Sequence, residues 1–140
     1  MVNRIFGEKA TGKSMCVEYS FLCEYADPTR GDLINIFGAG LHTLSFTKLP
    51  EERPITVVVS IEYNVDYAGD HMIEIRLIDS DGKDKIRPLT LDAVFPNDKH
   101  FYGFDARLCP LFHRYETHSV EIAVDRHNIA SIPLDVVIDK

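Results

Sequence analysis

The residue pattern predicts an all-β protein, an antiparallel β-sandwich of about eight strands, immunoglobulin-like or C2-like. Three observations carry this expectation. Apolar residues recur at every second position in several short segments, turn residues interrupt those segments every roughly 8–15 positions, and no long segment carries a helical stripe.

The first strand is read in "MCVEYSFLCEYA". Val17, Tyr19, Phe21, Cys23 and Tyr25 alternate with Glu18, Ser20, Leu22 and Glu24, which places the first set on one face. Asp27 to Asp32 is a turn, because Pro28, Gly31 and two Asp residues all favour one. "LINIFGAGLHTLSF" gives two short extended pieces split by a bulge or sharp bend at Gly38-Ala39-Gly40. After a break at 49–54, Ile55, Val57, Val59, Ile61 and Tyr63 form one face of the strongest strand, and Val58 on the other face makes it central. Residues 72–78 are the next strand, Asp81-Gly82 marks a hairpin turn, and Ile86 to Leu91 returns. Residues 92–100 read as a loop, and 101–112 as strand or irregular structure. The chain closes with a hairpin: Val120, Ile122 and Val124 share a face, 125–128 turn, and 129–138 form the last strand.

The chain of 140 residues supports one domain, read here as 15–140 behind a mobile polar leader, 1–14. A net charge of −7 argues against nucleic acid or an anionic membrane as partner, since both are held by Lys/Arg-rich surfaces. No apolar run approaches the roughly 20 residues that span a bilayer, and the leader lacks the apolar core of a secretory signal. Cys16, Cys23 and Cys109 form no pairing framework. In a regular strand Cys16 and Cys23 would face opposite ways, so three reduced, mostly buried thiols in the cytoplasm are expected.

One stretch looks like chemistry. "GEKATGKS", Gly7 to Ser14, matches the phosphate-binding loop of nucleotide hydrolases, with Gly7, Gly12, Lys13 and Ser14 in the diagnostic positions. That loop works between a buried strand and a helix whose N-terminus faces the phosphates. Here the segment before it is short and partly polar, and the segment after it alternates as a strand. A chance match arises in roughly one chain in a few hundred of this size. Nucleotide binding is therefore the alternative, not the main reading.

A second alternative is calcium at Asp79, Asp81 and Asp84 around Gly82, although the glycine comes early and Lys83 and Lys85 intrude. The six histidines stand singly, with no zinc-ligand spacing, so no metal is expected. No nucleophile elbow is present, and the cysteines lie in apolar stretches suited to inert thiols. Phe95, Phe101, Tyr102, Phe104, Phe112 and Tyr115 crowd one stretch, as half of a sandwich core or as an exposed patch for a partner.

"VEYSFLCEYADPTRGDLINIFGAGLHTL", "ERPITVVVSIEYN", "HMIEIRLIDSDGK" and "YETHSVEIAVDRHNIASIPLDVVI", in that order, resemble a family of small bacterial proteins known only as a domain of unknown function. The resemblance covers about residues 15–138 and leaves out the leader. Two departures are His42, near where a Trp is common, and a final turn without its usual Gly. The resemblance implies an all-β sandwich and brings no activity, cofactor or catalytic residue. By fold analogy it suggests an accessory module. The expectation is thus a non-enzymatic, cytoplasmic binding module without a cofactor. It would recognise a protein or small ligand, and an edge strand could pair with a second copy.

Overall fold

A computed structural model describes residues 15–28 and 33–139. These form an all-β structure of twelve strands, and its one helical piece is a short 3-10 turn, Val65–Tyr67. The strands are β1 (Met15–Cys23), β2 (Tyr25–Pro28), β3 (Ile34–Phe37), β4 (Thr43–Phe46), β5 (Glu51–Glu52) and β6 (Ile55–Tyr63), then β7 (Gly69–Ile78), β8 (Leu89–Phe95), β9 (Phe101–Leu108), β10 (Leu111–Phe112), β11 (Thr117–Val124) and β12 (His127–Ile138). They make a three-stranded sheet, β1-β6-β9, a five-stranded sheet, β4-β12-β11-β7-β8, and two ribbons, β2-β3 and β5-β10. The β4–β12 pair is parallel and the other pairs are antiparallel.

The strand count exceeds the expected eight because β2 runs into the expected turn at 27–32 to pair with β3, while the two-residue β5, in the expected break at 49–54, pairs with the two-residue β10. Residues 92–95 extend β8 along β7, and the aperiodic stretch after residue 100 supplies β9, which lies along β6. The last turn is also tighter than expected. Only Asp125 and Arg126 turn, both with left-handed backbone (φ 49 and 71), and Val124 already pairs with His127. That conformation usually selects Gly. Here the Asp125 carboxylate holds the turn by accepting the N–H of Met72 (2.9 Å) and the His71 ring (2.5 Å). At the other expected bend, Gly38 has φ 68, and a Cβ there would collide with the Glu24 side chain.

The two larger sheets feed one core. Ile55, Val57, Val59 and Ile61 of β6 join Ile73, Ile75 and Leu77 of β7 and Val120, Ile122 and Val124 of β11. Period-two burial marks β7 and β11, whereas β6 is buried on both faces and is central to its sheet as expected.

β1 departs from its expected alternation. Its register against β6 slips between Val17 and Tyr19, leaving Glu18 as an extra residue. Beyond the bulge the faces exchange. Ser20 and Leu22 oppose Val59 and Val57 on the core side, while Tyr19, Phe21 and Cys23 oppose Ser60, Val58 and Thr56 on the outer side. The apolar pattern hid this because the outer side has its own cover. Cys23, Ala26 and Val58 pack there against Phe21, Ile34 and Ile36 of the β2–β3 ribbon. The same slip puts Cys16 and Cys23 on one face, contrary to the parity argument. They oppose Glu62 and Thr56, six positions apart on β6 or about 20 Å. Separation, not orientation, keeps them from bridging. None of the three cysteines is in a disulfide among the described residues, and Cys109 is exposed rather than buried.

Candidate functional site

The outer side of β6 carries an anomaly for a central strand. Thr56 and Ser60 are almost fully buried on it, beside Val58. The β2–β3 ribbon covers Val58 but leaves a cleft of about 410 Å³ above Ser60. The bulge in β1 presents Glu18 and Tyr19 on one wall, and β9 presents Phe101, Gly103 and Asp105 on the other. Leu33 and Ile34 close the ribbon side. Gly103 pairs with Ser60, so the missing side chain opens the floor where the cleft lies. The Ser60 hydroxyl donates to Glu18 Oε1 at 2.8 Å, which satisfies the buried hydroxyl and pins the carboxylate to the rim. Tyr19 and Phe101 are each nearly half exposed (42% and 48%), so their rings remain open to a ligand. Among the described residues no Lys, Arg or His lines the cleft.

The hairpin turn after β7 is a different acidic cluster. Asp79 Oδ1 accepts the N–H groups of Asp81 (2.9 Å) and Lys83 (3.0 Å). The Lys83 N–H foremost holds the Asp79 carboxyl below the usual carboxylate range, against the opposing effect of burial. Arg114 Nη2 lies 3.5 Å from Asp79 Oδ2, 3.1 Å from Asp81 Oδ2 and 3.2 Å from Glu116 Oε1. The guanidinium is pushed up, chiefly by its hydrogen bond to Asp81. Asp84 turns away to take both nitrogens of the Arg76 fork, at 2.8 and 3.2 Å. Of the calcium candidates, Asp79 and Asp81 are thus brought together around Arg114, and Asp84 is not. Among the described residues no group of three or more His, Cys, Asp or Glu is arranged to hold a metal ion.

Beside this turn, His118 is fully buried on β11. Its Nδ1 lies 3.2 Å from the Glu116 carbonyl oxygen, and its Nε2 lies 3.6 Å from Glu116 Oε2. Those last two buried atoms have no hydrogen-bond partner among the described residues. Burial lowers the affinity of His118 for a proton, opposed by the Glu116 charge. His71 is also paired, but differently. Nδ1 meets Asp125, Nε2 meets the Tyr67 carbonyl (2.7 Å), and the Tyr67 ring stacks on the imidazole at 4.3 Å. With both nitrogens engaged, this His–Asp pair braces the β11–β12 turn and has no free edge for proton transfer. Burial raises the Asp125 carboxyl, but the bonds from His71 and Met72 outweigh it and hold the group below its ordinary range.

The nucleotide candidates Gly7, Gly12, Lys13 and Ser14 lie outside the described residues. Cys23 sits in the outer apolar cluster, and burial pushes its thiol up, which suits a packing role. The crowded aromatics divide between the two expected roles. Phe95 and Phe112 are core, while Phe101 and Tyr115 are exposed. The cleft residues were individually visible in the sequence but not as a group. The available signal was Ser60, a polar side chain on a strand apolar on both faces.

An all-β protein with an acid-rimmed cleft on the outer side of a small sheet is the class that fold and site define. The model of a family of unknown function, DUF6941, matches residues 18–137, and the chain belongs to that family. The resemblance read from the sequence over 15–138 is thereby borne out. No curated protein matches the chain.

Proposed function

We propose that the protein is a non-enzymatic binding module that takes its ligand in the cleft between β1, β9 and the β2–β3 ribbon. The observation that carries this reading is the 410 Å³ cleft with two exposed aromatic walls over a floor opened by Gly103. Its volume falls in the range of small-ligand sites, roughly 300–1,000 Å³, and a few fixed polar groups over an apolar floor are what such sites use for orientation. In this reading the two larger sheets, which share one core, are the layers of a β-sandwich. The cleft then sits on the outer side of the smaller layer, where binding need not disturb the core.

A cytoplasmic setting is part of the proposal, supported by three free thiols, one of them exposed. A bacterial origin rests on the sequence resemblance alone. Among the described residues no helix is long and apolar enough to cross a membrane.

The test is an amide-resolved NMR titration with a fragment panel spanning cationic, neutral and anionic compounds. Hits are expected to shift Tyr19, Ser60, Phe101, Gly103 and Asp105 together. Gly103→Leu, which fills the floor, is expected to abolish those shifts while keeping a dispersed, folded spectrum. A panel with no hit on these residues, or hits that persist in Gly103→Leu, would overturn the reading.

A further inference from the structure

The cleft's walls also say what kind of ligand it can hold. We infer that its ligand is a small organic cation, an ammonium head with an apolar shell, seated between Glu18 and Asp105 and against the faces of Tyr19 and Phe101. This inference rests on the cleft being a binding site and goes further by fixing the charge of what enters.

The argument is one of unanswered charge. Glu18 and Asp105 project from opposite walls, on strands that flank β6 and are therefore about 10 Å apart. Among the described residues no cationic side chain lines the space between them. An anion placed there meets two carboxylates, whereas a cation meets two attractive partners within a Debye length. The net charge of −7 adds to that bias at long range.

The aromatic walls select the same sign. The face of a Tyr or Phe ring is negative and attracts a cation within about 6 Å of its centroid. The protein already uses this interaction elsewhere, with the Arg53 guanidinium 4.5 Å from the centre of the Phe46 ring. Tyr19, which stacks on Phe21 at 5.8 Å, and Phe101 are both nearly half exposed on the cleft walls. Val58 and Ile34 line the interior with hydrocarbon, which favours an alkylated ammonium over a strongly hydrated inorganic ion.

Ser60 contributes by placement. Its hydroxyl proton is committed to Glu18 Oε1, so the serine holds that carboxylate toward the rim and leaves Oε2 for the ligand. The pairing uses a polar group of the floor as a positioning device.

Three isosteric probes isolate the charge: choline, its neutral analogue 3,3-dimethylbutan-1-ol, and the anion 3,3-dimethylbutanoate. In the NMR titration choline is expected to shift Tyr19, Ser60, Phe101 and Asp105. The alcohol should bind at least tenfold more weakly, and the carboxylate should not bind. Asp105→Asn should weaken choline severalfold without changing the affinity for the alcohol, a selectivity that mere loss of structure would not produce. Equal binding of choline and the alcohol, or choline binding indifferent to Asp105→Asn, overturns the inference and leaves the cleft-binding reading standing. Silence from choline overturns it as well. The wider reading falls with it only if the whole fragment panel is also silent at these residues.

Discussion

Two acidic regions of this protein look alike in sequence and differ in what surrounds them. In the turn after β7, Asp79, Asp81 and Glu116 converge on Arg114, two backbone N–H groups complete Asp79, and Arg76 takes Asp84. At the cleft, Glu18 has one hydroxyl and no cationic partner, and Asp105 has no ion pair, among the described residues. Every carboxylate of the first set has an arginine partner, and the set holds a hairpin to the loop before β11. The second makes one side-chain hydrogen bond to the fold among the described residues, and in the proposed reading its charge faces a ligand. Carboxylates therefore divide by what answers them, and that division can be broken by mutation.

The largest effect is expected at the turn. Asp79→Ala removes the acceptor of two N–H groups and one contact of Arg114, and should lower Tm by several degrees. A melt that barely moves would dissolve the distinction between the regions. The pH dependence follows from the same geometry. The Asp79 carboxyl is held below its unfolded value near 3.9, so its contribution is present above about pH 4 and is lost as pH falls through the folded value. Asp79→Asn should flatten that acid limb.

Next comes His118. Burial holds its folded affinity for protons below the unfolded value near 6.5. The unfolded chain then takes up the proton first, so stability should fall as pH drops below about 6.5, with a slope of at most about 1.4 kcal/mol per pH unit. In His118→Gln, whose amide can donate to Glu116, the slope in that window should disappear. Tm measured from pH 7.5 to 5 in both proteins decides it, and an unchanged slope would assign the effect to other groups.

The cleft should show the opposite behaviour. Glu18→Gln and Asp105→Asn are expected to change stability by no more than about 0.5 kcal/mol, as substitutions at surface sites do. A loss of several degrees in either would mean that the carboxylate is structural. The smallest effect concerns residues 7–14. Mg-ATP or Mg-GTP at about 1 mM should leave Tm unchanged, where a site of about 10 μM would add about 2.7 kcal/mol. A shift abolished by Lys13→Ala would make "GEKATGKS" a working nucleotide site and displace the cleft as the main candidate.

Sequence by itself determined the all-β class, the central β6, the β7 strand and its turn, the β11–β12 hairpin and the family, because one-sided burial writes itself as a two-residue period and two-sided burial as the apolar run of β6. It misread β1, since a single extra residue at Glu18 exchanges the faces while apolar cover on both sides preserves an apolar look. It passed over residues 92–95 and left 101–108 ambiguous, because exposed Val94 and Phe101 and a glycine at 103 blur the period that pairing with β7 and β6 restores. Which carboxylates are neutralised and which stay open was decided only by tertiary structure. Arg114 lies more than thirty residues beyond the Asp81 it answers, and Asp105 reaches the same cleft as Glu18 only through two strand pairings with β6. Charge compensation acts through space over a few ångströms, and local sequence carries no record of distances between residues so far apart along the chain.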